Sequence, residues 1–164
     1  MATADRPALL PPPAHATPAP PRIDTPQRLV GRLLLGGALL LAGFSHLTTA
    51  REEFQAQVPS WFPVDPDLVV VVSGVVEIAL GAALVLAPRR FRPALGLLVA
   101  AFFVVIFPGN ISQLVTQTDA FGLDSDTARA VRLLFQPALV VWALWSTGAW
   151  RTWRTHRAAR AESR

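Results

Sequence analysis

The run Val69–Leu86, VVVVSGVVEIALGAALVL, is apolar from end to end except for one carboxylate near its centre. Its length suits a membrane-crossing helix, and Glu77 falls close to the depth where an ionised side chain is most expensive. At about 100° per residue, Ser73, Gly74, Glu77 and Gly81 fall within one wedge roughly 100° wide, with Val, Ile, Leu and Ala over most of the rest. A seam of small and polar residues on an apolar helix faces other helices and not lipid. The rest of the chain is therefore expected to pack around that seam.

Three further apolar blocks share this character and, with the first, use up most of the 164 residues. The expected spans are about 29–47, 68–86, 94–115 and 128–148. The predicted fold is all-α, an integral-membrane four-helix bundle filling 28–150. Residues 1–27 are so rich in Pro and Ala that neither helix nor strand is expected there, and the segment reads as a disordered tail. It lacks the basic start and apolar core of a signal peptide. Residues 151–164 form a basic amphiphilic tail suited to anionic headgroups. Pro108–Gly109–Asn110 is expected to break or kink the third span, and Gln136–Pro137 to interrupt the fourth.

The net charge of +4 comes from arginine, as the chain has no Lys. These arginines flank apolar blocks and form no stripe with aromatics, so nucleic acid is not the expected partner; the lipid bilayer is. Arg22, Arg28, Arg32, the Arg89/Arg90/Arg92 turn and the arginines beyond Trp150 all fall on one side. Only Arg51, Arg129 and Arg132 fall on the other, among Glu52, Glu53, Asp65, Asp67, Asp119, Asp124 and Asp126. The positive-inside rule then places both termini in the cytoplasm and the two longer loops outside. Trp61 and Phe62, in the first of these loops, read as an interfacial anchor.

With that topology the unusual polar residues converge in the outward half. His46 ends the first span, Ser73 and Glu77 lie in the second, Asn110 and Gln113 close the third, and Arg132 and Gln136 open the fourth. At about 1.5 Å per residue, Glu77 and Gln136 lie at similar depth, and Arg132 sits one turn shallower, within reach of Glu77. Two interpretations follow. In one, Glu77 anchors a ligand or accepts a proton in an outward-opening pocket, with Asn110, Gln136 and His46 supplying hydrogen bonds. In the other, it is a satisfied structural group, neutral or paired with Arg132, that fixes helix register. Gly36 and Gly43 on the first span, with Gly74 and Gly81 on the second, are the expected points of close helix approach. There is no Cys, which excludes a thiol relay run by this chain alone and any Cys-ligated metal or cluster. No catalytic motif and no metal site is predicted.

Several of these segments together resemble the DoxX-like four-helix membrane proteins. They are G-x-x-H-L at Gly43–Leu47, V-P-x-W-x-P at Val58–Pro63, S-G-V-V-E-I-x-L-G at Ser73–Gly81, L-x-P-R-R at Leu86–Arg90 and F-P-G-N-I at Phe107–Ile111. The likeness covers about Arg28–Trp145. Family members more often carry His-Phe where this chain has His46–Leu47, and Pro-Ala-Asn where it has Pro108–Gly109–Asn110. The resemblance implies a bacterial inner-membrane protein and association with redox complexes. The family takes its name from a quinone-reducing thiosulfate oxidoreductase of archaea; any thiol mechanism is not carried over. The leading expectation is a redox-associated subunit, not an enzyme on its own, whose pocket takes a quinone-like or other small molecule. The rivals are a small proton-coupled transporter and a ligand-free membrane scaffold. A homo-oligomer is compatible with each.

Overall fold

The computed structural model describes residues 25–122 and 124–162; the Pro-rich segment before residue 25 lies outside them. The described chain is helical, without strands: α1 (Pro26–Leu47), α2 (Arg51–Gln55), α3 (Pro66–Leu86), α4 (Arg92–Val115), α5 (Asp126–Thr147) and α6 (Ala149–Glu162). Within it, α1, α3, α4 and α5 are long and apolar enough to cross a bilayer. They run alternately up and down, so one end of the bundle gathers the arginines and the other gathers α2 and the 116–125 connection.

Each span begins two or three residues before the apolar pattern does, because the caps lie outside it. Thr25 Oγ1 accepts the Arg28 N–H at 3.4 Å, Asp65 Oδ1 the Leu68 N–H at 3.1 Å and Ser125 Oγ the Ala128 N–H at 3.3 Å. Pro26 and Pro66 open α1 and α3, where a missing N–H costs no bond. Gly148, at φ 79°, ends α5, and α6 starts at once, so the expected basic tail is a helix that already includes Trp150.

The expected interruption of the fourth span does not occur, and the third span is not broken. Pro108 and Pro137 both sit inside continuous helices. Membrane helices tolerate proline where neighbouring groups satisfy the loosened backbone. Gln136 Nε2 donates to Phe103 O at 2.6 Å and ties α5 to α4 one residue before Val104, whose carbonyl Pro108 leaves without its helical N–H.

The core runs through Leu35 and Leu39 of α1, Leu80 and Leu84 of α3, Leu95, Val99, Ala100 and Phe103 of α4, and Ala143 of α5. The opposite faces carry exposed large apolar residues such as Leu34, Leu41, Val105 and Leu134, as a lipid-facing surface requires. Helix α1 packs chiefly against α3, and α4 against α5; α1 and α5 also meet, while consecutive α3 and α4 touch little. At the arginine end, Trp142 Nε1 donates to Gly31 O at 2.9 Å, joining α5 to α1.

Arg32 is buried there, and its guanidinium donates to Leu84 O and, at 3.3 Å, to Val85 O. These carbonyls belong to the last turn of α3, where the helix has no N–H of its own to offer and its dipole favours a cation. Arg32→Leu is expected to leave them unmet in a dry interior, at a cost of about 1–3 kcal/mol. The variant's unfolding in mild detergent, compared with wild type, checks this; an unchanged midpoint counts against the capping role.

Candidate functional site

The site begins with four glycines. Gly36 faces Gly81 and Gly43 faces Gly74, so α1 and α3 touch backbone to backbone at two levels one heptad apart. A Cβ on Gly43 would stand 2.5 Å from Gly74 O, and one on Gly81 would stand 2.7 Å from Gly36 O. Helices this close leave room for a side chain only where it lies along the seam. His46 does so by crossing over Gly74, whose Cβ position is 2.7 Å from His46 Cβ.

Side chains on a helix lean toward its N-terminus. In this antiparallel pair His46 leans toward the arginine end and Glu77 toward the loop end, so the two converge. His46 Nδ1 lies 3.1 Å from Glu77 Oε2, with both residues buried, at 6% and 5% exposure. Nδ1 is also 2.8 Å from Ala42 O, one turn back on α1. A carbonyl only accepts, so the tautomer that fits has its hydrogen on Nδ1, donated in a hydrogen bond to Ala42 O. Glu77 Oε2 faces the ring without a hydrogen bond, although it is fully buried.

Above the pair, Phe54 of α2 lies flat on the His46 imidazole, with ring centroids 3.4 Å apart and planes at 16°. Phe121 meets the edge of Phe54 at 4.6 Å, and the Arg132 guanidinium lies 4.9 Å over the Phe121 ring. Helix α2 is tied on two sides. Arg51 forms a bidentate pair with Asp67 of α3 (Nε to Oδ1 2.6 Å), reinforced by Gln55 at 3.0 Å, and Glu53 Oε2 accepts the Phe121 N–H at 2.8 Å. The Asp67 carboxylate raises the pKa of Arg51 through that hydrogen bond. Phe121 sits at φ 57°, a costly conformation for a bulky residue, held by these contacts. Just after α2, the Gln57 carbonyl presses on Gly109, and its side-chain Nε2 is buried without a partner.

The remaining candidates separate from this pair. Asn110 Nδ2 donates to Gln136 Oε1 at 3.1 Å, forming a second polar layer between α4 and α5. Gln113, 1% exposed, donates to Thr118 O at 3.3 Å and closes the connection after α4. Ser73 is half-buried on α3 and makes no hydrogen bond among the described residues. Arg132 does not reach Glu77: its guanidinium rests on Phe121, and His46 holds the place beside the carboxylate. Both members of the His46–Glu77 pair are closed over. Two open grooves lie elsewhere. One of about 470 Å³ is lined by Pro137, Ala138, Val141, Trp142 and Trp145, and one of about 170 Å³ by Leu97, Leu144, Ala149, Trp150 and Trp153.

Sequence reasoning missed Phe54, Phe121 and Gln57. Their only signal was a pair of aromatic residues isolated in polar connections. It also missed Arg129, which is 5% exposed and pairs with Asp119 and, at 2.8 Å, with Asp126.

A four-helix bundle with apolar outer faces and a buried His–carboxylate pair in its tightest seam defines a multi-pass membrane protein with an internal polar site. Residues 35–147 match a family model described as a domain of unknown function, DUF8561, and the chain belongs to that family. No curated protein and no solved structure matches it.

Proposed function

We propose that this chain is a subunit of a redox assembly in a bacterial inner membrane, and that it binds a quinone-type head group in the α1–α3 seam beneath α2. The observation that carries this reading is the buried Glu77 Oε2, an acceptor without a donor, beside an imidazole whose face is covered by a ring. A flat ring bearing oxygens suits that place. His46 and Glu77 would hold such a head group, with Glu77 accepting the hydroxyl of its reduced, quinol form. A bound quinone would supply two-electron, two-proton chemistry; this chain's residues would orient the ring, exclude water and hold a proton at Glu77.

Orientation belongs to the same proposal. The gathering of Arg28, Arg32, Arg89, Arg90 and Arg92 at one end favours a cytoplasmic position for both termini. The likeness to DoxX-like proteins supports the redox setting. Wild type and Glu77→Gln, purified in mild detergent and extracted for mass spectrometry, test the reading. Wild type is expected to retain a quinone and the variant to hold it roughly tenfold to a hundredfold more weakly, as for the loss of one hydrogen bond to a charged group. If both carry only bulk lipid and unfold alike, the pair is a structural staple and the scaffold function leads.

A further inference from the structure

The arginine end holds a second feature, independent of the Glu77 seam. Because Gly148 turns the chain at the end of α5, Trp150 and Trp153 of α6 are brought back beside Leu97 of α4 and Leu144 of α5. The two indoles stand one helical turn apart, with centroids 6.0 Å from each other, and remain 53% and 47% exposed. Together with Ala149 these residues wall the apolar groove of about 170 Å³. Arg151 and Arg154, also one turn apart and exposed, alternate with the indoles along α6. Arg90 lies at the same end, 4.6 Å over the Phe91 ring. No carboxylate occurs from Leu80 to Leu98 or from Ala143 to Arg160. Nothing in those stretches offsets the arginines.

We propose that this groove is a binding site for one anionic phospholipid, with an acyl chain between the indoles and Leu97/Leu144 and the phosphate against Arg151 and Arg154. The apolar floor requires a chain. The indoles sit where a span ends, at headgroup level, as tryptophan does at membrane interfaces. The flanking charge, without acidic neighbours, selects a headgroup of net negative charge over a zwitterionic one. A soluble anion would leave the apolar groove unused, and a neutral lipid would leave the arginines unused.

The test uses the full chain, washed of lipid in detergent and titrated with phosphatidylglycerol or phosphatidylcholine, with bound lipid counted by native mass spectrometry. Wild type is expected to hold one phosphatidylglycerol per chain, in preference to phosphatidylcholine. Arg151→Gln/Arg154→Gln is expected to weaken that binding about tenfold to thirtyfold, and Arg151→Lys/Arg154→Lys to retain it. Equal retention of the two lipids by wild type would overturn the proposal, as would undiminished phosphatidylglycerol binding by the glutamine variant. Trp150→Ala/Trp153→Ala separates a seated lipid from diffuse attraction. Loss of the bound lipid with the arginines intact supports the groove, and unchanged stoichiometry in a folded variant refutes it.

Discussion

Gly43→Ala is expected to destabilise the bundle by about 1–3 kcal/mol, and Gly43→Val by more, although each adds only apolar atoms. The added Cβ would stand 2.5 Å from Gly74 O and 2.9 Å from Ile78 N. These are backbone atoms on a packed helix, and no rotamer change relieves such a clash. The helices must part, and the contact that brings His46 over Gly74 parts with them. Gly37, earlier on the same helix, is the internal control. Nothing lies within 4 Å of its Cβ position, so Gly37→Ala is expected to be neutral or to stabilise by up to about 1 kcal/mol through helix propensity. Unfolding of wild type and these three variants in the same detergent, followed by circular dichroism, decides the matter. A loss at Gly37 equal to that at Gly43 would mean that close approach is not what holds α1 to α3.

The second large effect concerns the polar pair itself. His46→Leu is expected to cost about 1–3 kcal/mol, because it removes the imidazole dipole 3.1 Å from the buried Glu77 carboxyl and the hydrogen bond to Ala42 O. Replacing both residues, His46→Leu with Glu77→Leu, is expected to recover most of that loss, since a buried pair exchanged for apolar packing of similar size is often neutral. The double variant would then fold without the function proposed for the site. A double-mutant cycle on unfolding free energy measures the coupling directly. Additive losses would show that the 3.1 Å approach carries no interaction.

The four spans were legible in the sequence because membrane length and apolarity leave few alternatives. Their true starts were not, because Thr25, Asp65 and Ser125 cap from outside the apolar pattern. Pro108 and Pro137 signalled breaks that did not form, because a helix in lipid can run on through a proline when it is packed among other helices. The small residues on α1 and α3 pointed to a close seam, but which glycine met which awaited the register. The polar side chains were all traceable to one half of the bundle, whereas their pairing was not. Charge alone drew Arg132 toward Glu77. Side-chain lean along the helices and the ring of Phe121 decided otherwise. Helix α2 was too short to leave a periodic signal, so the aromatic cover over His46 was invisible.

The uneven sharing of helix contacts has a mechanical consequence. With α1 locked to α3 and α4 to α5, the chain behaves as two stiff hairpins joined by the Arg89–Phe91 turn. The two glycine levels forbid sliding within the first hairpin, so shear is not available to it. What remains is rocking of one hairpin against the other. The Trp142–Gly31 contact and the short turn pin the arginine end, which makes that end the fulcrum. The far end is held by the few links from α2 to the second hairpin: Glu53 and Phe54 to Phe121, and Gln57 to Gly109. Rocking of this kind would open the bundle like a V at the α2 end, by releasing α2 and leaving all four helices intact.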